Sequence, residues 1–114
     1  MKNRRPTVQE LSLIEFLVAN AFVKIKDNWN GKLLVKPMSD GDMGSLCLCT
    51  DDRVSEEKRF FGKIASECKF VDKDGVVVIA SLIIDTDGNL FELDIWKTNF
   101  EKLIEIPLTF EYLT

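Results

Sequence analysis

The chain of 114 residues contains no histidine, and this absence removes much of the chemistry that enzymes usually perform. Histidine is the common general base near neutral pH, the partner of serine and cysteine nucleophiles, and a frequent metal ligand. Any catalysis would therefore depend on carboxylates, on a lysine or on an unassisted thiolate. The missing histidine favours a protein that binds over one that catalyses a reaction.

Cysteine is scarce, with only Cys47, Cys49 and Cys68. Cys47 and Cys49 are two apart in a predicted strand, so their side chains share one face and are poorly placed for a mutual disulfide. Three sulfurs also fall short of the four ligands of a structural zinc site. We therefore expect buried, reduced thiols in a cytoplasmic protein, with no metal and no cofactor.

Long apolar runs are also missing, and no run approaches the length needed to span a bilayer. Glu10 and Glu15 interrupt the apolar stretch that follows the basic residues near the N-terminus, which argues against a signal peptide. With 46% apolar and 30% charged residues, the composition is that of an ordinary globular protein. The length predicts one domain, residues 1–114, with a core that needs no disulfide or metal.

An amphipathic helix is predicted over about residues 7–22. Thr7 and Glu10 have the spacing of a capping box, in which each residue satisfies a backbone amide of the other. Apolar residues then follow at helical spacing, as expected for a helix that packs against the rest of the domain: Leu11, Ile14, Leu17, Val18 and Ala21.

Short apolar runs separated by turns predict an antiparallel sheet over about residues 32–113. Asp72-Lys73-Asp74-Gly75 and Asp85-Thr86-Asp87-Gly88 separate three of these runs, and short loops ending in glycine reverse the chain. Pro37 indicates an edge strand, because proline cannot donate to a sheet hydrogen bond. Alternation in the run 60–71 places four residues on one face: Phe60, Ile64, Cys68 and Phe70. The predicted class is α+β, with the helix on a four- to six-stranded, mainly antiparallel meander sheet.

The second Asp-rich turn has the look of a calcium loop. Aligning its glycine, Gly88, with that of an EF-hand places Ile83 where the first acidic ligand belongs. The same alignment at Gly75 places Phe70 there. Both segments are therefore predicted to be hairpin turns and not metal sites.

The strongest candidate site lies on the predicted strand of residues 90–97, where Glu92, Asp94 and Trp96 alternate onto one face. Two carboxylates beside an indole can hold a lysine or arginine of a partner protein, with the tryptophan as an apolar anchor. The same carboxylates could divide the roles of acid and base in an enzyme. The simplest alternative is a solvated sheet face with one half-buried tryptophan.

The polar loop of residues 39–45 is a second candidate, with Asp40, Asp42, Met43 and Ser45 as its binding residues. Its two glycines indicate a conformationally demanding backbone, and loops on rigid sheets often carry binding residues. The acids would repel a phosphate, and no histidine is present to activate a serine.

Negative charge is concentrated towards the C-terminus. The net charge is −4, and the segment from Asp85 onwards has seven acids against Lys97 and Lys102, which gives −5 for that segment. Such charge repels the phosphates of nucleic acids and attracts a basic protein. Acids that only maintain solubility are the simpler explanation.

Three motifs together resemble a family of small bacterial proteins of unassigned function. They are a Met-Gly-Ser-Leu loop at residues 43–46, Asp72-x-Asp74-Gly75-Val76, and a Glu-Leu-Asp-Ile-Trp-Lys strand at residues 92–97 that is followed by Phe100. The likeness runs from about Pro6 to Pro107. Its members are similar to small acidic proteins found beside secreted bacterial toxins, which implies an immunity-like role with a basic toxin as partner. The resemblance implies no catalytic residues.

The leading prediction is a non-enzymatic, protein-binding module whose acidic face receives a basic partner. One alternative is a small-molecule binder or carboxylate-dependent enzyme that uses Glu92 and Asp94 in a concave sheet face. Another is a structural homodimer formed through an edge strand. Neither a nucleic acid nor a membrane is expected as a partner.

Overall fold

The computed structural model describes residues 3–26, 29–38, 43–50 and 59–113. Within these residues one helix, α1 (Val8–Ala19), is followed by six strands: β1 (Leu34–Pro37), β2 (Leu46–Cys49), β3 (Phe61–Val71), β4 (Val77–Asp85), β5 (Leu90–Lys97) and β6 (Glu111–Leu113). In the described part of the chain, no helix is long and apolar enough to cross a membrane.

The strands form one antiparallel sheet in the order β1-β2-β5-β4-β3-β6. The consecutive strands β3, β4 and β5 are the predicted meander, and the two Asp-rich turns connect them. The hairpin of β1 and β2 adds to β5, and β6 adds to β3. The predicted α+β class is confirmed, and Pro37 lies in the edge strand β1 as its chemistry indicated.

The predicted capping box begins the helix. The hydroxyl of Thr7 accepts from the amide of Glu10, and the carboxylate of Glu10 accepts from the amide of Thr7. The helix ends at Ala19 and not near residue 22. At this end the side chain of Asn20 donates a 2.8 Å hydrogen bond to the carbonyl of Phe16, which also accepts from the backbone amide of Asn20 at 3.1 Å.

The core lies between α1 and one face of the sheet. Leu13, Ile14 and Leu17 of the helix are buried, and the hydroxyl of Ser66 in β3 donates a 2.6 Å hydrogen bond to the carbonyl of Leu17. The segment that follows β5 contributes further apolar residues to this core: Leu103, Ile106 and Phe110. The sheet face on the side opposite α1 is called the open face below.

The alternation predicted for residues 60–71 is wrong at its beginning, because β3 is irregular around Gly62 and Ala65. An extra residue in a strand shifts the following side chains to the other face. Ile64 consequently lies on the open face and Phe60 is exposed, whereas Cys68 faces the core as predicted.

The three cysteines have different surroundings. Cys68 is buried, and its burial raises the pKa of the thiol to about 12, so the group stays protonated. Cys47 and Cys49 are only partly buried, which corrects the prediction that all three are core residues.

Candidate functional site

The three candidate residues of β5 share the open face but differ in exposure. Asp94 is exposed, Trp96 has 43% of its surface accessible, and Glu92 is half-buried. Glu92 lies between Cys47 of β2 and Ile83 of β4, in the middle of the sheet. Asp94 and Trp96 are therefore the members of the set that a partner would meet first.

Ser45 holds Asp94 in position from the neighbouring loop. The Ser45 hydroxyl oxygen accepts from the amide of Ile95 at 2.9 Å and lies 3.3 Å from Oδ1 of Asp94. Because Ser45 is buried, it supports the site and does not present itself to a partner. Gly44 before it has a φ of +100°, so the loop is conformationally demanding, as its glycines indicated.

The other predicted loop residues contribute less. Met43 is half-buried. Asp40 and Asp42 lie outside the described residues.

A third carboxylate, that of Glu67, lies in the same row of the open face. Ser81 of β4 pairs with Asp94 on one side and with Glu67 on the other, and its hydroxyl donates a 2.7 Å hydrogen bond to Glu67. Because Glu67 and Asp94 belong to different strands, only the sheet register shows that they lie in one row.

Trp96 also has an aromatic neighbour that the alternation within β5 could not reveal. The ring centroid of Phe100 is 6.3 Å from that of Trp96, and Phe100 has 72% of its surface exposed. Phe100 has a φ of +64°, a left-handed conformation that costs a bulky residue roughly 1–2 kcal/mol. Its amide donates to the carbonyl of Lys97 at 2.8 Å and closes a tight turn. Trp96 and Phe100 are called the aromatic pair below.

A buried ion cluster supports this turn. The Lys97 ammonium group lies 2.9 Å from the Asp72 carboxylate and 2.7 Å from that of Asp74. Asp72 also accepts from the amides of Ile104 at 2.8 Å and Glu105 at 3.0 Å. Burial opposes ionisation of Asp72, but the amides and Lys97 outweigh it and lower the pKa of this carboxyl to about 2. Asp72 and Asp74 belong to one of the three sequence motifs and Lys97 to another, so two of the motifs meet in this ion cluster.

The second Asp-rich turn is built in a similar way. Asp85 and Arg59 form a buried ion pair of 3.1 Å, and Asp85 also accepts from the amides of Asp87 and Asn89, both at 2.9 Å. The resemblance to a calcium loop is therefore explained by a hairpin turn whose first acid binds an arginine. Among the described residues, no group of three or more histidine, cysteine, aspartate and glutamate side chains is arranged to hold a metal ion.

The acids of the C-terminal segment do not form one negative field. Three of the seven pair with cations from earlier parts of the chain: Asp85 with Arg59, Glu105 with Lys73, and Glu111 with Lys69. Because these three acids are paired with cations, the formal charge of −5 for the segment overstates the negative electrostatic potential at its surface. Of the acids on the open face, Asp94 is the most exposed.

A cleft of about 420 Å³ lies beside the edge strand β6. Its walls include Lys69, Val71, Phe110 and Glu111, and its volume is within the range of small-molecule sites. Glu92 and Asp94 do not line it. A ligand in this cleft would meet Lys69 and Glu111, which form a 3.4 Å ion pair, as its charged groups.

A family model described as a domain of unknown function, DUF6984, matches residues 3–107. Because the match covers most of the chain, the protein belongs to this family. No curated protein and no solved structure matches the chain.

Proposed function

We propose that this DUF6984 protein is a protein-binding module that receives a basic segment of a partner protein at one end of its open face. The proposed surface consists of Asp94 and the aromatic pair, Trp96 and Phe100, with Glu67 and Glu92 at its margin. It is called the acidic–aromatic surface below. The observation that supports the proposal most is an exposed phenylalanine, held at a positive φ, against a half-exposed tryptophan beside an exposed carboxylate.

The conformation of Phe100 is difficult to explain by stability alone. A glycine at this position would adopt the same φ without steric cost, and little of the phenylalanine side chain is removed from water. Residues held in sparsely populated backbone conformations cluster at binding and catalytic sites. The strained turn therefore favours a role for the ring of Phe100 in contact with another molecule.

The chemistry of the surface suits a lysine or arginine side chain. Asp94 and Trp96 are two residues apart on a strand, which separates their side chains by about 7 Å. A cation placed between them can form an ion pair with the carboxylate and a cation–π contact with the indole. Val77, exposed on the same face of the neighbouring strand, and Phe100 would contact apolar residues next to that cation.

A basic toxin is a partner with this chemistry, and the immunity-like role implied by the sequence resemblance would then be inhibition by binding. Attraction between the surface and a cationic partner would speed association, and salt would weaken it. The same surface could also serve a basic protein of another kind, so the proposal specifies the chemistry of the partner segment.

A peptide library displayed on phage tests the proposal and does not require the natural partner. Peptides selected on the wild-type protein, after removal of those that bind an Asp94→Asn/Trp96→Ala double variant, should contain lysine or arginine next to apolar residues. Each single substitution should weaken binding of the selected peptides by about tenfold or more. Raising the salt concentration from about 50 mM to about 500 mM should slow their association.

Two matched variants control for changes outside the surface. Asp87→Asn removes an exposed acid from the β4–β5 turn, at the other end of β5, and Leu108→Ala removes an exposed apolar side chain before β6. Both should bind the peptides as the wild type does. Selected peptides that lack basic residues, or that bind the double variant equally well, would refute the proposal. Loss of binding in Glu111→Gln alone would instead support the alternative of a ligand in the cleft beside β6.

A further inference from the structure

We infer that the chain has a second interaction surface, at the outer edge of β3, through which two copies associate. Four large apolar side chains are exposed there: Phe22 by 68%, Phe60 by 64%, Phe61 by 58% and Ile64 by 38%. This set is called the phenylalanine edge. Its three phenylalanines lie away from the aromatic pair, and Ile64 lies on the open face in the row of Ile83 and Glu92, at the margin of the acidic–aromatic surface. The inference does not depend on the function proposed above.

The short strand β6 pairs with only part of this edge. It pairs with β3 only from Glu67 to Lys69, so within the described residues no strand pairs with the outer edge of β3 before Glu67. The amide of Phe22 donates to the carbonyl of Ala65 at 3.1 Å. This hydrogen bond brings Phe22, which follows the helix, to the same edge as the phenylalanines at the start of β3.

The backbone of β3 directs these side chains outwards. A Cβ atom at Gly62 would lie 2.5 Å from the carbonyl oxygen of Asp85, so the close approach of the two strands requires glycine at this position. Irregularities of this kind change the direction of neighbouring side chains and are frequent next to functional sites. The outward direction of Phe61 therefore accompanies the irregularity at Gly62, and Phe60 directly precedes the strand.

The size of the phenylalanine edge fits a dimer. If a phenylalanine side chain presents about 200 Å², the three exposed rings present about 380 Å², and Ile64 raises the total to roughly 450 Å². Two copies would bury at most about 900 Å² from these side chains, so flanking residues must supply the rest of the roughly 1,200 Å² at which specific interfaces begin.

A second copy of the chain is the partner that best fits the phenylalanine edge. A patch placed on a twofold axis meets itself, so phenylalanines face phenylalanines and no complementary charge is needed. Lys63 and the irregularity at Gly62 both oppose the continuation of the sheet into another chain. We therefore expect the copies to associate by packing of side chains and not by a shared sheet.

Phe61 and the aromatic pair lie far enough apart for both to contact other molecules at the same time. Phe61 pairs with Asp85 of β4, and Trp96 pairs with Ile79 of the same strand. These two positions of β4 are about 20 Å apart along the strand. A dimer formed through the phenylalanine edge would leave the aromatic pair of each copy accessible to a partner.

Sedimentation velocity of the full chain tests the inference. Between about 1 μM and about 100 μM the wild type should shift from the 13.0 kDa monomer towards twice that mass. A Phe60→Ser/Phe61→Ser variant should raise the dissociation constant by about tenfold or more. Leu108→Ser and Trp96→Ala, which alter exposed apolar residues elsewhere, should leave it unchanged.

Three results would overturn the inference: a monomer throughout this concentration range, a double variant that dimerises like the wild type, or equal weakening by Leu108→Ser or Trp96→Ala. Near-ultraviolet circular dichroism establishes that each variant is folded. If the double variant does not fold, Phe22→Ser replaces it, because Phe22 lies outside the irregular part of β3. Its dissociation constant should rise, and an unchanged value would count against the dimer.

Discussion

Removal of the Asp72 carboxylate should destabilise the fold by about 4 kcal/mol. The carboxylate is buried and accepts from Lys97 at 2.9 Å, from the amide of Ile104 at 2.8 Å and from that of Glu105 at 3.0 Å. In Asp72→Ala the amides of Ile104 and Glu105 lose this acceptor. The buried ammonium group of Lys97 loses one of its two carboxylates and keeps that of Asp74. Breaking a buried ion pair costs about 3–5 kcal/mol, and an unsatisfied buried donor about 1–3 kcal/mol, but such costs overlap and do not add.

Urea unfolding measures this loss. The midpoint should fall in Asp72→Ala while the slope stays the same, which indicates a change in stability without a change in the surface exposed on unfolding. Asp87→Ala is the matched control. Asp87 is exposed, and its position in the second Asp-rich turn corresponds to that of Asp74 in the first. It should change the free energy of unfolding by less than about 0.5 kcal/mol. A loss below about 1 kcal/mol in Asp72→Ala would refute the reasoning.

The loss of stability in Asp72→Ala should depend on pH. The pKa of Asp72 is lowered to about 2 in the folded protein, against an ordinary value of about 3.9 in an unfolded chain. A lowered folded-state pKa contributes stability above the unfolded value, and this contribution is lost as the pH falls from about 4 to about 2. The stability difference between the wild type and Asp72→Ala should therefore be constant from about pH 7 to about pH 5 and shrink below about pH 4. A difference that grows on acidification would contradict the assignment.

Two further predictions concern backbone conformation, and urea unfolding measures both. Phe100→Gly should be more stable than Phe100→Ala by about 1 kcal/mol, because both lose the contact with Trp96 but only alanine keeps the cost of the left-handed φ. Equal stabilities would argue against strain in this turn. Gly62→Ala should cost about 1–3 kcal/mol, because a Cβ at Gly62 meets the backbone of Asp85. Gly75→Ala has open space around its Cβ but keeps a φ of +82°, which is strained for alanine, so it should cost about 1 kcal/mol. A loss below about 0.5 kcal/mol in Gly62→Ala would show that β3 adjusts easily.

Local chemistry made much of the fold predictable from sequence. The capping box at Thr7 and the glycines of the two Asp-rich turns depend on residues a few positions apart, so their structures follow from short patterns. The position of Pro37 at a sheet edge follows from its missing amide proton. The placement of β2 beside β5 depends on contacts between distant segments, and the irregularities of β3 moved Ile64 to the open face against simple alternation.

The arrangement of the candidate site was predictable to the same limited degree, and its role in binding stays a prediction. Asp94 and Trp96 share a face because they alternate within one strand, which a sequence shows directly. The support from Ser45 and the neighbouring carboxylate of Glu67 come from other parts of the chain, so they require the register. The sum of charges over a segment was misleading because acids such as Asp85 have buried partners elsewhere in the chain.

The ion cluster and the aromatic pair are best understood as one unit. A buried ion pair is weak evidence for stability, since apolar residues of similar volume often stabilise a core as well or better. Lys97, however, lies next to Trp96 in sequence, and its carbonyl accepts the hydrogen bond that closes the turn at Phe100. Anchoring Lys97 through Asp72 and Asp74 fixes that turn, and a strained turn persists only where its surroundings hold it. We therefore interpret the cluster as the support that fixes the geometry of the acidic–aromatic surface, on which the proposed function depends.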